Sequence, residues 1–149
     1  MKKYIFPVSI SLVLGIFMAY FIIKQYEDMP ALAVSSEAES LYYIQKGVYF
    51  DLDSMNEGMK DFSHYIYNTE NNSFYVYIGI TTSKENALKI VEYYKSLGVE
   101  TVISEKITDN KEFVNILRQY DELLSKTDDS ESIKTICNQI LVKYEELVK

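Results

Sequence analysis

Tyr43-Ile44-Gln45-Lys46-Gly47 and Tyr75-Val76-Tyr77-Ile78-Gly79, two stretches thirty-two positions apart, decide the fold that this sequence predicts. Each starts with a tyrosine and an aliphatic residue and ends in glycine, and each is followed by capping residues and apolar residues at helical spacing. Similar segments at a fixed separation indicate one supersecondary unit used twice. The unit here is a strand followed by a helix.

The two predicted helices follow serine or threonine residues with an acid three positions on, the spacing of a capping box. Ser54 and Glu57 introduce the first helix, and Thr82 and Glu85 introduce the second, which Gly98 ends. Asp51 and Asp53 lie at the start of the first helix, where carboxylates interact favourably with the helix dipole, so we interpret these acids as caps. The apolar stripes of the two helices are Met55, Met59 and Phe62, and then Ala87, Ile90, Val91, Tyr94 and Leu97.

Two more strands complete the pattern. Residues 65–67 and 74–80 flank the turn-rich segment 68–72 as a hairpin, and residues 101–107 form the last strand. The order is then βαββαβ, which predicts an α+β fold: a four-stranded antiparallel sheet of the ferredoxin-like kind with both helices on one face. The other face is expected to be open.

Strand side chains alternate between faces, so the two motifs can be sorted. Ile44, Val76 and Ile78 are expected to face the helices. Lys46 falls on the same side, where a lysine is suited only to the margin of the sheet, because there its stem can pack while its ammonium reaches water. The open face is then expected to carry Tyr43, Gln45, Gly47, Tyr75, Tyr77 and Gly79.

A helical hairpin is predicted after the last strand, over residues 108–149. Its two helices begin near Asp109 and Asp128, each with glutamate three positions on. The apolar stripe of this hairpin either packs on its own domain or forms a surface for a partner helix. The stripe comprises Phe113, Ile116, Leu117, Tyr120, Leu123, Leu124, Ile133, Ile136, Cys137, Ile140, Tyr144 and Leu147.

The N-terminus predicts a membrane anchor. Residues 5–23 are nineteen positions without a charge, about 28 Å of helix and long enough to span a bilayer. Lys2 and Lys3 precede the run and only Lys24 follows it closely, which favours a cytoplasmic N-terminus and a domain outside the cell membrane. The alternative is a signal peptide cut after the small-x-small segment 31–33. Both interpretations export the domain.

The predicted organisation is therefore a tail and transmembrane anchor over residues 1–26, a flexible linker over 27–40, the repeat domain over 41–107 and the hairpin over 108–149. After residue 23 the chain carries 22 acidic side chains against 13 basic ones. That excess excludes nucleic acid as a natural partner, because phosphate binding requires clustered lysine and arginine.

Catalysis and metal binding have little support in the sequence. His64 is the only histidine and Cys137 the only cysteine, so neither a Cys/His metal site nor an intrachain disulfide can be assembled. We expect His64 to make a structural hydrogen bond and Cys137 to be buried, although an exposed Cys137 could join two chains. No cofactor, metal or catalytic residue is predicted.

The twin strand-helix pattern over residues 41–107 resembles the SPOR domain, the sporulation-related repeat of bacterial cell-envelope proteins. Gln45, Gly47 and Tyr49 match the family's Gln-x-Gly-x-Phe signature, and the second motif is followed by Ser83 and Ala87 at its helix start. Tyr49 stands where the family has phenylalanine, Val48 where a small residue is usual, and Lys46 at an aliphatic position. The fold tolerates such changes more easily than ligand preference does.

The resemblance implies non-catalytic binding of peptidoglycan, in particular glycan strands stripped of stem peptides, at division or sporulation septa. Tyrosine rings suit the apolar faces of sugars, and an amide can bond to hydroxyl and acetamido groups. Glycan-binding residues are then expected to be Tyr43, Gln45, Gly47, Tyr49, Tyr75 and Tyr77.

Two alternatives stay open. The chain could be a membrane-bound scaffold or regulator that binds another envelope protein through residues 109–148. In that case its SPOR-like domain could be a degenerate copy that no longer binds glycan and serves only to recruit a partner. A wall hydrolase ranks third, since no acid/base pair can be nominated.

Overall fold

A four-stranded antiparallel sheet and four helices make up residues 38–149, the part of the chain that the computed structural model describes. The predicted α+β class, the order βαββαβ and the C-terminal helical hairpin are confirmed in this part. The strand order in the sheet is β2-β3-β1-β4. The elements are β1 (Glu39–Tyr49), α1 (Leu52–Met59), β2 (Ile66–Glu70), β3 (Ser73–Thr81), α2 (Lys84–Ser96), β4 (Val102–Thr108), α3 (Lys111–Lys126) and α4 (Ser130–Val148).

Strand β1 begins at Glu39, two residues before the predicted start, and so includes the end of the segment expected to be a linker. The predicted anchor over residues 5–23 and the candidate cleavage segment 31–33 lie outside the described residues. Within residues 38–149 no helix has the length and apolarity needed to cross a membrane.

Each helix starts at a side chain that caps its first turn. Asp51, Ser83, Asn110 and Asp129 accept hydrogen bonds from the backbone N–H three residues on. The pKa of the Asp51 carboxyl lies below the ordinary value, mainly because it accepts a hydrogen bond from the backbone N–H of Ser54. The pKa of the Asp129 carboxyl is lowered in the same way, mainly by the hydroxyl of Ser132. The predicted caps for α2, α3 and α4 were each one residue too early.

The register between β1 and β3 shifts twice. Ile44 lies opposite Gly79 but Gln45 lies opposite Tyr77, so Ile78 is skipped; Lys46 is then skipped on β1. A skipped residue reverses the alternation of side chains beyond it. Tyr77 and Gly79, expected on the same face, therefore lie on opposite faces.

Helices α1 and α2 cover the face that carries Ile44. A Cβ built on Gly79 would lie 3.2 Å from Ile44 and 3.4 Å from Ile90 of α2. The Tyr49 ring of β1 lies against Gly58 of α1. The expectation that the two repeat helices share one face is thus confirmed for residues 38–149.

The opposite face, which we call the Tyr43 face, is not open. Tyr144 of α4 meets the Tyr43 ring edge-on at 6.1 Å between centroids, and Phe113 of α3 meets Tyr144 at 5.5 Å. Most of the predicted apolar stripe of the α3/α4 hairpin is buried in the same core as the sheet, whereas Leu123 is exposed. The buried apolar residues of the hairpin are Phe113, Val114, Leu117, Leu124, Ile133, Ile136, Cys137, Ile140, Leu141 and Tyr144.

Asp121 joins α3 to the turn between β3 and α2. Only 7% of this residue is exposed, and its carboxylate accepts hydrogen bonds from the hydroxyl of Thr81, from the N–H of Thr82 at 2.8 Å and from the Thr82 hydroxyl at 2.6 Å. The Asn86 amide donates to the Asp121 backbone carbonyl at 2.9 Å. The N–H and the hydroxyl of Thr82 both bond to Asp121, so Ser83 rather than Thr82 caps α2.

Lys89 fixes the C-terminal end of α3, about one turn beyond Asp121. Its ammonium donates to the carbonyls of Leu124 and Thr127, both at 3.0 Å, and lies 3.1 Å from an Asp128 carboxylate oxygen. A helix C-terminus leaves carbonyls without intrahelical partners, so a cation placed there satisfies them and favours the local dipole.

We predict that Asp121→Ala lowers the free energy of unfolding by about 3 kcal/mol, because the buried hydroxyl and amide donors lose their acceptor. Thermal and urea unfolding of the full-length protein in detergent measure it. Gln119→Ala, at an exposed position of the same helix, is the matched control and should be near neutral. Equal stability of the two variants would contradict the role of Asp121.

Candidate functional site

The residues predicted to bind glycan fall into three structural groups. Tyr43 and Tyr77 are buried in the core, with 5% and 1% of each residue exposed. Gly47 and Tyr49 lie on the face covered by α1 and α2. Gln45 and Tyr75 are on the Tyr43 face and half-buried. The predicted set is therefore not one continuous surface.

Tyr43 and Tyr77 are covered from two directions. Their rings meet edge-on at 5.2 Å between centroids, and the α3/α4 hairpin packs over them. From β4, the ammonium of Lys106 lies 4.6 Å from the Tyr77 ring centroid and 5.5 Å from that of Tyr43, within cation–π range. Neither ring is free to stack on a sugar. The expectation of an open, tyrosine-lined face is wrong at these two positions.

Gly47 and Tyr49 lie on the other face because of the register shifts. Gly47 lies opposite Val76, and directly opposed residues share a face. The Tyr49 hydroxyl reaches the Met59 sulfur of α1 at 3.9 Å. A Cβ on Gly47 would make only ordinary contact, 3.5 Å, with the Tyr49 ring, so close packing does not require glycine here.

A smaller accessible group survives at one end of the Tyr43 face. Tyr75 lies directly between Val48 on β1 and Asn68 on β2, so these three side chains share the face. Gln45 lies opposite Tyr77 and shares it too. Val48 is 38% exposed and the other three are half-buried. We call Gln45, Val48, Asn68 and Tyr75 the distal patch.

The distal patch lies away from the point where the chain enters the domain. Strand β1 begins at Glu39 and ends at Tyr49, about 33 Å further along at the rise of an extended strand. Val48 and Tyr75 lie at the Tyr49 end, beside the turn at Asn71 and Asn72.

The chemistry of the distal patch is an aromatic ring flanked by two amides and an aliphatic side chain. Amides of Gln45 and Asn68 can each donate and accept hydrogen bonds. No acid/base or nucleophile pair stands beside them in the patch. The arrangement can bind a neutral polar ligand but offers no obvious means of transforming it.

The histidine and cysteine have structural surroundings. A ring nitrogen of His64 lies 3.0 Å from a Glu145 carboxylate oxygen, joining the segment before β2 to α4, which agrees with the expected hydrogen-bonded role. Cys137 is fully buried, and burial raises the pKa of its thiol to about 12. A disulfide between chains through Cys137 is therefore inaccessible. Among residues 38–149 no cluster of His, Cys, Asp and Glu is placed to hold a metal ion.

Comparisons with known proteins give no match: neither the family models, nor the curated proteins, nor the solved structures include one similar to this chain.

Sequence reasoning missed the residues that close the Tyr43 face. Lys106 was placed in a strand without a role, and Tyr144 was one member of a helical stripe. No local signal identifies Asn68 either, because it belonged to a turn-rich segment. Strand pairing to Tyr75 is what brings Asn68 into the patch.

Burial raises the pKa of Tyr43 and Tyr94 well above that of an exposed tyrosine, with Tyr144 adding to the effect at Tyr43. A folded-state pKa above the unfolded value gives stability that is complete below about pH 10 and is lost as pH rises above it. We predict a steep fall in Tm between pH 9.5 and pH 11.5, reduced in Tyr43→Phe. If Tyr43→Phe instead removes a phenolate absorbance step near pH 10 from the folded protein, Tyr43 is exposed.

Proposed function

We propose that this chain is a non-catalytic binding module of the bacterial cell envelope, held at the membrane by residues 1–26 and exposed outside it. The proposed ligand is the glycan strand of peptidoglycan, bound on the distal patch. The observation that carries the proposal is the half-exposed Tyr75 ring between Val48 and Asn68, with Gln45 on the same face.

The chemistry of the patch fits a glycan. The Tyr75 ring and Val48 offer apolar area for the C–H face of a sugar, and the two amides suit its hydroxyl and acetamido groups. The patch holds no carboxylate, so the acidity of the domain does not act directly against the ligand. The patch lies at the end of β1 remote from Glu39.

The resemblance to SPOR domains supports a glycan as the ligand, because Gln45 of the family signature lies in the distal patch. The site proposed here is smaller than the one that the family pattern implies. Hairpin α3/α4 occupies part of the sheet face on which the ligand was expected. A single platform ring in place of three implies weak binding to one strand, and dense wall material would strengthen it through multiple anchored copies.

The hairpin argues against the scaffold alternative in its simplest form. Most of its apolar stripe is buried within the chain, so a partner would have to contact the outward side of the hairpin. Leu123, 53% exposed, Val142, 39% exposed, and Val148, 38% exposed, are the exposed large apolar residues of the hairpin. Scattered apolar side chains of this kind are ordinary on a protein surface.

The test is co-sedimentation of the full-length protein in detergent with purified peptidoglycan, intact or stripped of stem peptides by an amidase. We predict that Gln45→Ala combined with Tyr75→Ala lowers the bound fraction at least fivefold, the loss expected from one platform and one hydrogen bond. Tyr120→Ala, at a half-buried tyrosine of α3, is the matched control and should bind as the unaltered chain does.

Unchanged sedimentation of the double variant would remove the distal patch as a glycan site. No sedimentation of the unaltered chain, together with a membrane protein captured through the outward side of the hairpin, would favour the scaffold. Circular dichroism of each variant confirms that the fold is kept, so that a loss of binding is not a loss of structure.

A further inference from the structure

Strand β1 extends beyond the end of β4, its neighbour on one side of the sheet. Its pairing with β4 ends where Gln45 lies opposite Val102, whereas its pairing with β3 continues to Tyr49 opposite Phe74. Residues 46–49 therefore have a β-neighbour on one side only within the described part of the chain. The backbone N–H and C=O groups on the other side of such a segment are available for pairing with an added strand.

A groove lies against this unpaired edge, where β4 would continue if it were longer. Its volume is about 520 Å³, room for roughly four extended residues at the rise and width of a strand. The segment between α2 and β4 forms one wall and the last turns of α2 form the other. The side chains that matter here are Lys46, Val91, Lys95, Val99, Thr101 and Val102.

Thr101 lines the groove with a hydroxyl that makes no hydrogen bond. Its hydroxyl oxygen is buried and has no hydrogen-bond partner. A buried hydroxyl without a partner costs free energy, so such atoms are rare unless something else supplies the bond. A peptide carbonyl in the groove would accept this bond once the Thr101 side chain rotates toward the ligand.

The groove is locally basic in an acidic domain. Lys46 and Lys95 line it against one acid, Glu100, while the chain after residue 23 carries 22 acids and 13 bases. Neither lysine takes part in the ion pairs formed among residues 38–149. Val91, Val99 and Val102 supply apolar contact between the charges.

We propose that this groove binds a short extended acidic peptide, which pairs as an added strand with residues 46–49 of β1. Main-chain hydrogen bonds to β1 would give affinity, and side-chain contacts would give specificity, as in other cases of strand addition. An acidic side chain of the peptide faces Lys46 and Lys95, an aliphatic one faces Val91 and Val99, and a backbone carbonyl accepts from Thr101. This groove shares Gln45 with the distal patch but takes a different ligand.

The probe is the capped peptide acetyl-Thr-Val-Glu-Val-Glu-Thr-amide, titrated into the full-length protein in detergent and followed by backbone amide chemical shifts. The expected result is saturable shifts at residues 46–49 and 99–102. The capped peptide acetyl-Thr-Val-Lys-Val-Lys-Thr-amide is the charge-reversed control and should bind at least tenfold more weakly.

Thr101→Val separates a ligand site from a mere packing defect. It removes the unpaired hydroxyl at nearly constant volume, so Tm should rise while the affinity for the acidic peptide falls about fivefold, the worth of one hydrogen bond. Lys46→Gln with Lys95→Gln should weaken the peptide about tenfold, whereas Lys111→Gln, at an exposed position of α3, should not.

Absence of shifts at residues 46–49, or a Thr101→Val variant that is stabilised and binds the peptide unchanged, would overturn the proposal. Loss of peptide binding in the groove variants with glycan sedimentation intact would separate this site from the distal patch.

Discussion

The contact of Tyr144 with Tyr43 and Phe113 is the interaction on which the rest of this structure depends. It places the α3/α4 hairpin over the face of the sheet that the repeat helices leave uncovered, and so converts a two-layer domain into one with helices against both faces. Asp121 and Lys89 fix the C-terminal part of α3 through hydrogen bonds to the β3–α2 turn and to helical carbonyls. Aromatic packing of Phe113 near the start of α3 and polar bonds near its end thus make the hairpin an integral part of the fold.

This packing determines how much surface is left for function. Tyr43 and Tyr77 become core residues, and the accessible part of their face is reduced to its margin, which includes the distal patch and Val102 of β4. The charge of the domain still argues against nucleic acid, and the burial of Cys137 argues against a covalent dimer. The binding role proposed for this chain rests on the chemistry of the distal patch, which is one ring and two amides. The unequal lengths of β1 and β4 add a second, physically different surface.

Element order was predictable from the sequence because periodicity and capping are local properties. The turn at Asn71 and Asn72 and the stop at Gly98, with positive φ at all three, also follow from local chemistry. The face assignment of Gly47 and Gly79 was not predictable, because register shifts depend on two strands at once. Tyr77 keeps its expected face but is buried. Whether the apolar stripe of the hairpin packs against the sheet depends on contacts about a hundred residues apart, such as that between Tyr43 and Tyr144, which no local pattern encodes. For the predicted site, only Gln45 and Tyr75 keep the expected face and some exposure.

A double-mutant cycle between Tyr43 and Tyr144 tests the central claim most directly, since it measures whether the hairpin packs on the sheet in solution. The free energy of unfolding is measured for the unaltered chain, Tyr43→Leu, Tyr144→Leu and the double variant. Direct ring contact predicts a coupling of about 1 kcal/mol, with each single change destabilising. Additive effects, with no coupling beyond error, would contradict the account and return the Tyr43 face to the surface.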